Sequence, residues 1–251
     1  MRRSWILAPL VFCLYLVAIY GCDRGSAPSS SPPPRDGFGQ RLGTDVTARP
    51  GRATASVAAE RPRIVAFGNS LTAGLGVAQK ESYPAQLQRK LEEAGYSYRV
   101  VNAGVSGETT AGGLRRVAWV LNSKPSIVIL ELGGNDGLRG LSLPETKANL
   151  ERIIQQLQQA SVMVLLAGMK LPPNYGKDYT AGFEELYRSL AEQYHLTLIP
   201  FFLAGVAGSS VLNQADGIHP TGEGYRLIVE NLFAMLEPML ARKYGELVPA
   251  Q

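Results

Sequence analysis

The chain holds 251 residues with a formal net charge of +4, 45% of them apolar and 18% charged, a composition that fits one globular domain with extra chain at one end. Residues 1–60 contain 7 Lys or Arg against 4 Asp or Glu, and residues 61–251 contain 18 against 17, so the basic excess sits mostly in the N-terminal segment and no basic, aromatic-interleaved face argues for a nucleic-acid partner. Both cysteines, Cys13 and Cys22, fall in the first 22 residues, which leaves the rest of the chain without disulfides, a cysteine nucleophile or thiolate metal ligands.

Arg2 and Arg3 precede an apolar run of fifteen residues, Ile6 to Tyr20, short of the about 20 needed to span a bilayer. The run is predicted to be an export signal that is removed. It ends in Ile19-Tyr20-Gly21-Cys22, which resembles the lipobox of bacterial lipoproteins. That resemblance implies a signal over residues 1–22, acylation of Cys22, and a lipid anchor that holds the exported protein at a membrane of the cell envelope, in the periplasm. Residues 23–60, with SSSPPP at 29–34, have the composition of a Ser/Pro/Gly-rich tether. The folded domain is expected over 61–251.

From Arg61 onward, strands are predicted at Ile64–Phe67, Tyr98–Val101, Ile127–Leu132, Val162–Ala167 and Leu196–Phe201. Apolar residues recur at helical spacing between them, at Leu87/Leu91/Ala94, Leu114/Val117/Ala118/Leu121, Leu150/Ile153/Ile154/Leu157 and Phe183/Leu186/Tyr187/Leu190, and finally at Tyr225/Ile228/Val229/Leu232/Phe233/Leu236. Alternation of helices with near-continuous apolar strands implies a parallel sheet covered on both faces. The expected fold class is α/β, with a five-stranded parallel sheet in the flavodoxin-like order 2-1-3-4-5. Ligands of such sheets bind at the carboxyl ends of the strands.

Four short blocks follow strands. GNSLTAG (68–74), NAGVSGETT (102–110) and ELGGNDG (131–137) come after the first three, and DGIHP (216–220) lies past the fifth. Acyl transfer to a protein nucleophile needs a base, a group that orients the base, and donors for the oxyanion. Ser70 is the candidate nucleophile and His219 the candidate base. Asp216, three residues before His219, is placed to accept from its Nδ1–H. The backbone N–H groups of Ser70 and Gly107 and the side-chain amide of Asn135 are the candidate oxyanion donors. Taken singly, each has a plainer reading: Ser70 as a helix cap, Asp216 and His219 as a loop hydrogen bond, Asn135 as a left-handed turn residue.

Other polar residues receive structural readings. Glu108 and Asp136 are expected as loop caps, Glu131 as a hydrogen-bonded buried carboxylate, and His195 as a helix C-terminal residue. Two histidines and no thiol after residue 22 leave little for a metal site, and the Gly-rich stretches match neither a dinucleotide fingerprint nor a P-loop.

On these blocks the chain resembles the SGNH (GDSL-type) hydrolases, whose signature residues fall here at Ser70, Gly107, Asn135 and His219. ELGGNDGLRG (131–140), LPPNYGKDY (171–179) and DGIHP are most similar to the bacterial periplasmic acyl-CoA thioesterase, lysophospholipase and arylesterase group. The resemblance implies a three-layer α/β/α sandwich and a cofactor-free esterase acting on small-molecule or lipid acyl esters or thioesters through an acyl-Ser70 intermediate. Asn69 stands where the family usually carries Asp. Leu138, Leu141 and Leu143, beside the oxyanion candidates, are expected to form an acyl-binding wall, with packing on the sheet as the alternative. Three rival readings are a carbohydrate or peptidoglycan O-acetylesterase, a catalytically idle binding lipoprotein on the same fold, and an FMN binder.

Overall fold

The computed structural model describes residues 61–247, with side chains through Ala241. The signal, Cys22 and the tether expected from the sequence lie outside the described residues. Strands β1 (Arg63–Gly68), β2 (Arg99–Gly104), β3 (Pro125–Glu131), β4 (Met163–Ala167) and β5 (Thr197–Ile199) form one parallel sheet in the order β2-β1-β3-β4-β5, the order expected. Ile64, Ala66, Phe67 and Ile127–Leu130 have no solvent exposure, because helices cover both faces of the sheet.

Right-handed crossovers fix which helix goes where. The first connection runs from β1 to β2 in one direction across the sheet, and the second returns past β1 to β3. Helix α2 (Tyr83–Glu93) therefore lies on the face opposite α3 (Thr110–Asn122). Helices α5 (Leu143–Gln159) and α6 (Lys177–Gln193) continue the α3 layer, and α7 (Gly222–Leu247) packs beside α2. The stripes of α5, α6 and α7 are buried as their spacing predicts, whereas Ala94 and Ala118 are exposed. In α3 the buried positions are Thr110, Gly113, Val117 and Val120.

Strand β5 ends at Ile199 rather than Phe201. Pro200 has no N–H to continue the ladder, and the chain turns as Gly168 N–H donates to Ile199 O (2.8 Å) and Phe202 N–H to Gly168 O (2.8 Å). Two short helices absent from the sequence reading, α1 (Ser70–Ala73) and α4 (Gly134–Leu138), begin within the first and third blocks. The register pairs Gly68 with both Gly104 and Glu131. The three strands thus end level, and the blocks after them meet at one edge.

Candidate active site

Ser70 opens α1 directly after its N-cap, Asn69, whose Oδ1 accepts from Leu71 N–H at 2.9 Å. The rest of Asn69 faces inward: Nδ2 donates to Glu131 Oε1 (2.8 Å) and its backbone N–H to Glu131 Oε2 (3.2 Å). Thr72 Oγ1 donates to the same Oε2 at 2.8 Å. Three donors thus converge on a carboxyl group with no exposure. Burial pushes the Glu131 pKa up and the bonds from Thr72 and Asn69 pull it down, leaving it at about 7. Asn69 gives Glu131 an N–H partner where an Asp would set a second carboxylate against it. The turn tolerates no side chain at position 68, where a Cβ would lie 2.1 Å from Thr72 Oγ1 and 2.5 Å from Glu131 Oε2.

His219 approaches from the other side of the site. Its Nε2 is 2.9 Å from Ser70 Oγ and its Nδ1 is 2.6 Å from Asp216 Oδ2. Asp216 Oδ1 accepts from the backbone N–H groups of Ile218 (2.9 Å) and His219 (3.0 Å). The bonds from the backbone and ring of His219, then that from Ile218, hold the Asp216 carboxyl at about 2, below its ordinary 3.8. A hydrogen-bonded line therefore joins Asp216, His219 and Ser70, the arrangement in which an imidazole can serve as base to a serine.

Gly107 and Asn135 line the same cavity as Ser70 and His219. Gly107 has φ +77°, a conformation that favours glycine. Asn135 is helical, in the first turn of α4, and the left-handed residue of the block is Gly133 at φ +107°. This corrects the turn reading of Asn135. Its Nδ2 donates to Glu108 O at 3.1 Å, which occupies one of the two amide hydrogens.

The cavity measures about 750 Å³. Apolar side chains from loops after β4 and β5, notably Met169, Leu171, Phe201 and Leu203, make much of its wall, with Leu75 and Ile218 near the triad. Leu138 also lines it, but Leu141 and Leu143 do not. Leu141 is 40% exposed. Leu143, in the first turn of α5, packs against the core, where a Cβ on Gly182 would meet its Cδ1 at 2.8 Å. The expected wall of three leucines thus keeps one member.

Asp136 accepts from Thr110 N–H (2.9 Å) and Oγ1 (2.6 Å), capping the start of α3. Glu108 is not a loop cap; it pairs with Arg116 on α3. His195 follows α6 at φ +52°. Sequence reasoning missed Gln214, whose Nε2 donates to Leu75 O (2.8 Å) and Pro220 O (2.9 Å) and so ties the His219 loop to the loop after α1. It also missed the wall after β4 and β5, although the rule that ligands bind at strand carboxyl ends covers those loops too. Among the described residues, no group of three or more His, Cys, Asp or Glu is placed to hold a metal ion.

A serine aligned with a histidine and a carboxylate, on a parallel sheet of this order, places the chain in the class of serine hydrolases. Residues 66–227 match the GDSL-like lipase/acylhydrolase family. The chain is 43% identical to Esterase TesA of Pseudomonas aeruginosa over 178 residues, covering 70% of this chain and 89% of that protein. It is 35% identical to Thioesterase 1/protease 1/lysophospholipase L1 of Escherichia coli K12 over 184 residues, 73% and 87% of the two chains. The crystal structure of TesA superposes with a TM-score of 0.69 over 70% of this chain and 99% of that one. The chain belongs to the GDSL/SGNH hydrolase family, whose members related to it here are esterases and thioesterases.

Proposed function

We propose that this serine esterase cleaves medium-length acyl esters and thioesters through an acyl-Ser70 intermediate. The line from Asp216 through His219 to Ser70 at 2.6 and 2.9 Å, opening on an apolar cavity, carries the reading. As Ser70 Oγ attacks the acyl carbon, its proton passes to His219 Nε2. The negative oxygen is held by the N–H groups of Ser70 and Gly107 and by Asn135 Nδ2. His219 then gives the proton to the departing oxygen or sulfur, and in the second half activates a water that releases the acid. Asp216 orients the ring and stabilises its charged form.

The cavity favours chains longer than acetyl, because apolar walls of this volume contribute only when an acyl chain covers them. That is the argument against the O-acetylesterase alternative. The test is turnover of p-nitrophenyl esters together with fluorophosphonate labelling. Ser70→Ala is expected to abolish both, and His219→Ala to abolish turnover, with the double mutant no worse than either single change because the residues act as a unit. Substantial turnover by purified Ser70→Ala would remove the nucleophile assignment.

We further propose, from the sequence of residues 1–60, that the enzyme is exported, processed before Cys22 and held at a membrane by lipid on that residue. Cys22→Ser is expected to abolish incorporation of radiolabelled fatty acid, while Cys13→Ser leaves it intact. Label retained in Cys22→Ser would exclude the anchor.

A further inference from the structure

We propose that Arg116 is a positioning residue for the oxyanion hole, one guanidinium that ties together the three segments supplying its donors. The proposal rests on the assignment of Ser70, Gly107 and Asn135 as those donors.

Arg116 lies in the second turn of α3, and its side chain is 18% exposed, that of Glu108 only 7%. Nε donates to both Glu108 carboxylate oxygens at 2.8 Å, and Nη2 also contacts Oε2. The same Nη2 donates to Ala103 O (2.8 Å) and Gly68 O (3.2 Å). The planar group lies 4.5 Å from the centre of the Phe67 ring, a cation–π contact. An arginine that served only to neutralise Glu108 would not need two main-chain carbonyls from different strands.

Two of these contacts, Gly68 and Glu108, lead to the three donors. Gly68 is two residues before Ser70, and its carbonyl also accepts from Val105 N–H at 3.0 Å, the entry to the Gly107 turn. Glu108 follows Gly107 directly, so fixing its side chain fixes the far end of that turn. The carbonyl of Glu108 accepts from Asn135 Nδ2, so the amide of the third donor is oriented by the residue Arg116 holds. The helix is bare where the Glu108 stem crosses it: a Cβ on Gly112 would meet Glu108 Cγ at 2.8 Å.

A buried ion pair adds little net stability, since desolvation offsets its attraction. Its contribution here is geometric. Donors held in place before the reaction need no reorganisation as charge develops on the oxygen. Loss of Arg116 should therefore weaken binding of the tetrahedral anion more than binding of the ester.

The experiment compares Arg116→Met, Arg116→Lys, Asn135→Ala and the Arg116→Met/Asn135→Ala double mutant. It measures kcat and KM on a p-nitrophenyl ester, affinity for an alkyl boronic acid that adds to the serine as a tetrahedral anion, and the melting temperature. Removing one donor outright costs about 10²–10³ in kcat, and Arg116→Met is expected to lose roughly 10–100-fold, with boronate affinity falling in parallel and KM within about twofold. Arg116→Lys, which keeps a charge but not the fork, should recover part of the loss. The double mutant should lose less than the product of the singles, because both act on one donor set. Multiplying losses, or an Arg116→Met protein that melts lower yet keeps its kcat and boronate affinity when folded, would overturn the positioning role. An Asn135→Ala enzyme with unchanged kcat would instead overturn the underlying oxyanion assignment.

Discussion

Glu131 has no solvent exposure and Asn69 only 2%, whereas the Asp216 side chain is 45% exposed and that of His219 15%. The nucleophile side of the site is thus built on strand ends locked by register, and the base side rides on a loop. That loop is fastened by the Asn213–Pro220 bridge, by Gln214 N–H to His219 O (2.7 Å) and by the Gln214 amide. The difference follows the chemistry. The proposed oxyanion donors must stay still while charge develops, and although Gly107 is exposed and Asn135 half-buried, Ser70 sits on the buried Asn69–Glu131 framework at the ends of β1 and β3. In the proposed reaction the imidazole exchanges its proton with Oγ, leaving group and water in turn, a role that suits a side chain on an accessible loop with 15% exposure. Its orientation comes from one carboxylate held by local N–H groups.

The largest effect on this comparison should come from Asp216→Asn. The loop bonds to the backbone can survive, but the acceptor for Nδ1–H is replaced by an amide that also offers the wrong tautomer a donor. We expect kcat to fall by about 10⁴ with KM and melting temperature little changed, as suits an exposed residue. A fall in stability as large as that of a core substitution would mean the loop is far more than a carrier for His219.

The two carboxyl groups should also respond oppositely to pH. Asp216, lowered to about 2, adds stability that is present above its ordinary 3.8 and lost only as pH falls through about 2. Half-exposed, it adds little. Glu131 is raised from 4.5 to about 7, so in that interval the folded protein keeps a proton that the unfolded chain releases. Its contribution is greatest below pH 4.5 and is lost as pH rises through about 7. The interval corresponds to about 3 kcal/mol. Urea unfolding at pH 5 and pH 8 should show that decline in the wild-type enzyme, and Glu131→Gln should flatten it. Parallel profiles for the two proteins would show that Glu131 does not titrate there.

Much of the fold and of the triad is legible in the sequence, because each rests on local signals. Apolar strands alternate with helical stripes, and Ser70, Gly107 and Asn135 each follow a strand in a block of distinctive composition, while His219 stands in its own block, DGIHP, beyond β5. What is not legible depends on which way an element faces. Arg115 and Arg116 are adjacent, and only the phase of α3, set by burying Gly113, Val117 and Val120, turns Arg116 inward and leaves Arg115 exposed. Gln214 has no local mark, since its partners are backbone carbonyls brought to it by the fold. Leu138, Leu141 and Leu143 look equivalent in the chain, yet they fall at the end of α4, in the loop after it and at the start of α5, and only Leu138 reaches the cavity.

That last contrast gives the smallest and most selective prediction. Leu171 lines the cavity and Leu141 does not, although both follow a strand and both are leucines near a catalytic block. If the acyl chain occupies the cavity, each covered CH₂ contributes about 0.8 kcal/mol, roughly fourfold in kcat/KM. The gain should therefore climb from acetyl to octanoyl esters and level off when the cavity is full. Leu171→Ala removes wall that only the longer chains reach, so kcat/KM should fall about tenfold for octanoyl esters and stay unchanged for acetyl. Leu141→Ala should leave the whole series within about twofold of the wild type, since the side chain it removes faces water. A p-nitrophenyl ester series on both variants decides the matter. Flattening by Leu141→Ala with Leu171→Ala silent would put the acyl chain on the loop between α4 and α5 and leave the cavity to the leaving group.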